Sequence, residues 1–332
     1  SNHFIFKIFK VSYSGYRKYM QDKSSIRLGL CCIFTNQPIK FRTTTVKSLS
    51  SMHRTDALLK LSNICLTNAK ELYKSLKFCA ANNIGCFRIN SQILPIKTHA
   101  EFGYDIHDLP DGVNIVRLFE ECREYSKAND IRTSFHPDQF VVMNSPNPDV
   151  VNRSIAELEY QAQVAEWVGA DVVNIHGGGG YGNKPEALTR FSQNLNRLSD
   201  KVRKRLTLEN DDVTYTPSDL LPLCITENIP LVFDIHHHRC NQDNISSEEA
   251  TTKAIETWDR EPMFHISSPR QGWSGAKPRQ HHDFIDIKDF PDYWLDSKLT
   301  VEVEAKAKEV AVLKLKKQIM TYSHQESSNI KQ

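Results

Sequence analysis

Six segments of the chain end on a histidine or a carboxylate where a strand-like apolar run stops. They are Phe135-His136, Asn174-Ile175-His176, Leu208-Glu209, Phe233-Asp234 with His237 three residues on, Phe264-His265, and Val301 to Glu304. The strand-like runs number eight: 27–32, 86–90, 131–135, 172–176, 206–209, 231–235, 262–266 and 299–303. Helical patterns separate most of them, at about 56–82, 112–129, 151–169, 186–203, 217–227 and 247–258, with a last helix at about 305–320. Alternating strand and helix predicts an α/β fold with a parallel sheet. A doubly wound open sheet alternates in the same way but gathers its ligands at one crevice. Only a closed ring brings six strand ends together, so the pattern predicts a single-domain (β/α)8 TIM barrel with its site at the carboxyl ends of the strands.

Size agrees with this, since such a barrel needs about 250 residues and the chain has 332. The barrel is expected over 26–320, between a basic N-terminal extension at 1–25, expected to be disordered, and a C-terminal tail at 321–332. The extension holds Lys7, Lys10, Arg17 and Lys18 and no acid before Asp22, a pattern that an organellar presequence also shows. No apolar run approaches the roughly 18 residues of a membrane span. A formal net charge of +2 gives no global field, so an anionic partner must be held by local clusters or bound cations. The eight cysteines form no CxxC pair and are expected as buried free thiols.

Nine side chains are candidate metal ligands: His99, His136, His176, Glu209, Asp234, His237, His265, His281 and Glu304. Any one has an ordinary structural explanation, such as a hydrogen-bonded histidine at a strand end. Crowded into one mouth without cations, they would repel and desolvate one another. Mixed imidazole and carboxylate ligands suit Mn²⁺, Zn²⁺ or Fe²⁺, and nine suffice for two or three ions. Such clusters cleave phosphate esters; the rival use is isomerisation of open-chain sugars.

Two loops add to this. In HPDQF (136–140) Gln139 and Phe140 either project outward, able to enter a base stack, or lie in a turn with Phe140 packed inward. In HGGGGYGNK (176–184) the glycines let the backbone approach a ligand, and Lys184 stands near for phosphate. Arg270, Lys277 and Arg279 fall in mouth-side loops, whereas Lys201, Arg203, Lys204 and Arg205 precede the fifth strand and belong to the opposite end.

Taken in order, RLGL (27–30), RINSQILPIKTH (88–99), SFHPDQFVVMNS, NIHGGGGYGNK, LTLEND, FDIHHH, HISSP, HHDFI and VEAKAKE resemble the UV damage endonuclease family over about residues 27–315. The resemblance implies a TIM barrel similar in architecture to endonuclease IV. It implies nicking of duplex DNA immediately 5′ to cyclobutane pyrimidine dimers and 6-4 photoproducts, by a metal-activated water that leaves a 3′-hydroxyl and a 5′-phosphate. The nine candidates match the family's ligands, commonly to manganese, with His136, Glu209, Asp234, His265 and Glu304 expected as catalytic. Gln139 and Phe140 match its lesion-probing pair, where the family often has Gln-Tyr. Two positions depart: Met263 stands where members can carry a modified lysine, and Leu30 where a tyrosine contributes to the lesion pocket. Damaged double-stranded DNA is the expected partner, with a monomeric enzyme in the cytoplasm, nucleoid or nucleus, or in an organelle. An abasic-site endonuclease, a sugar isomerase and an inactive DNA-binding scaffold are the alternatives.

Overall fold

The computed structural model describes residues 26–329, with side chains through residue 321. The expectations for 1–25 and for the end of the tail lie outside the described residues. Eight parallel strands run β1 (Arg27–Cys31), β2 (Cys86–Ile89), β3 (Arg132–Phe135), β4 (Val172–His176), β5 (Leu206–Glu209), β6 (Leu231–Val232), β7 (Met263–Ile266) and β8 (Thr300–Val303). Their lateral order is β6-β5-β4-β3-β2-β1-β8-β7. The remaining seam, between β6 and β7, is bridged at one place. There Asp234 pairs with His265, and the His265 N–H donates to the Phe233 carbonyl at 3.1 Å. A nearly closed barrel results, as the alternation predicted.

The helices that wrap it are α1 (Arg54–Ala81), α2 (Gly112–Ala128), α3 (Pro148–Val168), α4 (Lys184–Leu195), α5 (Pro217–Glu227), α6 (Ile235–Cys240), α7 (Ser247–Glu256) and α8 (Lys308–Asn329). Local chemistry starts and stops them. Asn147 caps α3 by accepting from the Asp149 N–H, Pro148 opens it, and Gly169 ends it at φ 75°, where a side chain is disfavoured. Thr216 and Asp219 form a capping box at α5. α1 buries Leu61, Leu72 and Leu76 completely, each worth about 1.5–3 kcal/mol of apolar transfer.

Three boundaries differ from the sequence pattern for physical reasons. The sixth strand was expected over 231–235 but ends at Val232. Beyond it Asp234 keeps only the isolated bridge to His265 and caps α6, its Oδ1 accepting from the His237 N–H at 2.7 Å. The helix expected over 186–203 is two pieces, α4 and Asp200–Arg203. They are divided at Ser199, whose N–H and hydroxyl both donate to Glu159, at 2.8 and 2.6 Å. The last helix starts at Lys308 rather than 305, after a turn that holds Lys308 at φ 49°. All eight cysteines are free thiols, six of them buried. No helix among the described residues is long and apolar enough to cross a membrane.

Candidate metal centre

Strand alternation points one set of side chains into the barrel, and toward the carboxyl ends that set becomes polar. Asn174 and His176 on β4, Thr207 and Glu209 on β5, and Glu302 on β8 with Glu304 just beyond it each stand two residues apart, hence on one face. Gly29 leaves room for this layer: a Cβ there would sit 3.1 Å from Glu302 Cγ and 3.2 Å from Cys86 Cβ.

Glu209 lies at the centre. Its Oε2 is 3.0 Å from His136 Nε2 and 3.3 Å from His265 Nδ1, and its Oε1 is 3.2 Å from His237 Nδ1. The Asn174 amide donates to Oε2 at 2.5 Å, and Thr207 donates to the Asn174 carbonyl oxygen at 2.9 Å. Burial alone would raise the Glu209 carboxyl, yet the surrounding imidazoles, those of His265 and His176 first and then those of His136 and His237, hold it well below the ordinary range. Burial drives His176 the other way, toward the neutral ring, against the pull of Glu209. Burial also disfavours charge on His237, but Asp234 and Glu209 outweigh it and push that imidazole well up.

Three groups bring donor atoms within 4.8 Å of one another: His136, His176 and Glu209; Glu209, Asp234 and His237; and Asp234, His265 and Glu304. Glu209 and Asp234 each belong to two groups, the relation expected of carboxylates that bridge neighbouring cations. The groups fit divalent cations for a specific reason. His136 Nδ1 lies 3.0 Å from the Pro137 carbonyl, which only accepts, so Nδ1 holds the proton and Nε2 directs a lone pair at Glu209 Oε2. Two acceptors 3.0 Å apart need a cation or a further proton between them. His176 Nδ1, Glu209 Oε1 and Asp234 Oδ2 are buried without hydrogen-bond partners, a cost that coordination removes. His237 Nδ1 faces the Asn210 carbonyl at 3.0 Å, the orienting contact that frees Nε2 for a ligand role.

The other expected residues fall as follows. His281 lies on the rim, its Nδ1 3.8 Å from Glu304 Oε2. His99 is exposed, its Nδ1 accepting from the Glu101 and Phe102 N–H groups at 3.1 Å, and it belongs to none of the three donor groups. Gln139 and Phe140 are both exposed. Phe140 at 76% projects outward, so the inward-packed alternative does not hold. Lys184 pairs with Asp219 at 2.9 Å and lies over the Tyr215 ring. In the glycine loop, Gly178 (φ 83°) lies where a Cβ would fall 2.3 Å from Asn144 Oδ1, and the Gly179 carbonyl accepts from Tyr215 and Asn144. Close packing therefore accounts for part of that motif. Met263 is fully buried against Cys86 and Val172, and Leu30 is fully buried in the main core.

Sequence reasoning passed over Arg88 and Glu302. Arg88 donates to Glu302 Oε2 at 2.6 Å and to Glu304 Oε1 at 2.7 Å, with its Nη2 2.9 Å from His265 Nε2. Ser134 also donates to Glu302. Burial would raise the Glu302 carboxyl, but Arg88 and then His265 hold it down at about 2. Burial would lower the His265 imidazole, but Glu209, then Glu302, carry it up to about 10. The VEVE alternation signalled Glu302, whose side chain shares a face with Glu304. Arg88 carried no such signal, because arginine is not a metal ligand.

Comparison with known proteins agrees with this geometry. The family described as UV-endonuclease UvdE matches residues 26–330. A protein named UV DNA damage endonuclease from Bacillus cereus (strain G9842) is 34% identical over 290 residues, 84% of this chain and 88% of its own. One of the same name from Bacillus mycoides (strain KBAB4) is also 34% identical over the same shares. The crystal structure of SacUVDE superposes with a TM-score of 0.79 at 28% identity, over 90% of this chain and 99% of that one. Endonuclease IV from Thermus thermophilus shares the fold at a TM-score of 0.58 and 13% identity, over 90% and 99%.

Proposed function

This chain belongs to the UV-endonuclease UvdE family, and from that membership we propose that it nicks duplex DNA immediately 5′ to UV photoproducts, using two or three divalent cations held in the barrel mouth. The observation that carries this reading is the set of three donor groups linked through Glu209 and Asp234, with buried acceptors that lack hydrogen-bond partners. Manganese is the proposed ion, as the family resemblance implies, and the mixed imidazole and carboxylate donors suit it as they suit Zn²⁺ or Fe²⁺.

When bound, the cations supply an acidified water and neutralise charge that develops on the phosphate. The chain's own residues do the rest. His136, His176 and Glu209 would hold one cation, Glu209, Asp234 and His237 a second, and Asp234, His265 and Glu304 a third. Asn174 and Asn210 fix the orientations of Glu209 and His237 through the contacts described, so the donors need no rearrangement during the reaction. In the cut, the water oxygen bonds to phosphorus and the P–O3′ bond breaks. The lesion side keeps a 5′-phosphate, and the departing O3′ takes up a proton to become the 3′-hydroxyl. Gln139 and Phe140 stand outside this chemistry, and their role is to enter the base stack where a damaged step unstacks easily.

The test is an end-labelled duplex carrying one cyclobutane dimer, with Mn²⁺ supplied and undamaged and abasic duplexes alongside. A single cut on the 5′ side of the dimer is expected. Cleavage of the abasic duplex alone would move the activity to the endonuclease IV type.

A further inference from the structure

Beside the candidate centre a cavity of about 530 Å³ opens, lined by Arg88, Arg270, Arg279, Lys306 and Lys308, with Glu304 as its one carboxylate. We propose that this cavity seats a phosphate of the lesion-bearing strand next to the one that is cut; the proposal rests on the function given above. It concerns residues outside the three donor groups.

Two pieces of backbone place the cations. Pro269 and His281 pair as an antiparallel bridge, and the Arg270 N–H donates to the Gln280 carbonyl at 2.6 Å. The 267–298 loop therefore begins as a hairpin that sets Arg270 and Arg279 on facing arms. On the other side, the turn between β8 and α8 carries Lys306, and Lys308 opens the helix that follows. Lys308 is held at φ 49°, a left-handed conformation that costs a lysine and persists where surroundings enforce it. The next residue, Glu309, anchors the turn, its buried carboxylate accepting from the Thr35 and Asn36 N–H groups at 2.9 and 2.6 Å.

Charge then identifies the occupant. Arg88 is engaged by Glu302 and Glu304, and Arg279 reaches Asp212 only at 3.7 Å. Among the described residues, the side chains of Arg270, Lys306 and Lys308 make no hydrogen bond or ion pair. Clustered cations facing one cavity repel unless an anion joins them, and the guanidinium fork and ammonium groups match phosphate oxygens. Basic residues at the other end of the barrel behave differently: Lys201 and Lys204 both reach Glu166, at 2.7 and 3.8 Å. The cavity shares Glu304 and His281 with the centre, so a strand whose scissile phosphate lies over the donor groups continues into it. The contact reads no base; it fixes the register of the strand.

The test measures binding of the metal-loaded protein to a dimer duplex already nicked 5′ of the lesion, so that no cutting intervenes, over a series of salt concentrations. K306Q/K308Q and R270Q are each expected to lower the slope of log affinity against log salt by about 1. K201Q/K204Q, at the opposite end, is expected to leave it unchanged. Neutral methylphosphonates placed one at a time along the lesion strand should weaken wild-type binding at one position near the nick. That weakening should vanish in K306Q/K308Q. An unchanged slope in both cavity variants, an equal fall in K201Q/K204Q, or a methylphosphonate effect that persists in K306Q/K308Q overturns the proposal. Failure of the wild-type protein to cut an intact dimer duplex overturns the endonuclease reading instead, so the two failures are distinguishable.

Discussion

Arg88 Nη1 donates to Glu304 Oε1 at 2.7 Å inside the barrel wall, so a carboxylate available to a cation is already held by a fixed positive charge. The same guanidinium binds Glu302, which stands behind the donor groups and belongs to none of them. The ion pair is buried, and removing one partner of such a pair costs about 3–5 kcal/mol through the charge left behind. R88M is therefore expected to lower the unfolding free energy by that amount, and R88M/E302M to recover a large part of it. Urea denaturation of the metal-free variants decides this, and a double variant no more stable than R88M would contradict it.

His136→Ala removes a donor from the first group while leaving the core untouched. Nicking of the dimer duplex is expected to fall by about 10²–10³-fold, comparable with the loss of one preorganised electrostatic contact, together with bound metal measured by elemental analysis. Activity lost with metal content unchanged would assign His136 another role.

Phe140 is the exposed aromatic ring nearest the centre in sequence. Phe140→Ala should leave the melting temperature almost unchanged, as exposed substitutions stay within about 0.5 kcal/mol. It should weaken selective binding to dimer duplex by about 1–3 kcal/mol, the range for loss of one base–aromatic stack. Competition between dimer and undamaged duplexes measures that selectivity.

Acid and alkali should destabilise the metal-free protein through different partners. Glu302 is held at about 2, below the unfolded carboxyl at about 4.3. Its contribution is complete above the unfolded value and is lost as pH falls toward 2. His265 is held at about 10, above the unfolded imidazole at about 6.5. Its contribution is complete below that value and is lost as pH rises toward 10. The two together give a plateau between about pH 4.5 and 6.5, visible as a maximum in denaturant midpoint, with E302Q flattening the acid limb and, because Glu302 also supports His265, making the alkaline limb shallower.

The eight strands were legible because nearly every one pairs an apolar run with a helix-period stretch before the next, the exception being the irregular 267–298 stretch, and the strand starts at Arg27, Cys86, Val172 and Leu206 match the expected ones. The clustering of His136, His176, Glu209, Asp234, His237, His265 and Glu304 was legible because strand ends share one face of a barrel. His99 stands apart from the three donor groups, its Nδ1 accepting from two N–H groups of its own turn. Arg88 was illegible because an inward-facing cation on a strand reads as a surface residue until its carboxylate partners are known to lie across the ring. Lys184 illustrates the converse: its ion pair with Asp219 joins residues 35 apart in sequence, a distance no motif spans.

The β6–β7 seam has a consequence for assembly. Its single bridge is made by Asp234 and His265, and both belong to the donor group completed by Glu304. A cation seated there would act as a rivet across the last joint of the stave ring, linking loading to closure. Ligands that bind only the native state stabilise it by about 2.7 kcal/mol at a hundredfold excess over Kd. Here that gain is concentrated where the hoop is thinnest, and amide exchange at His265, slow in the loaded protein and fast after chelation, reports the joint opening.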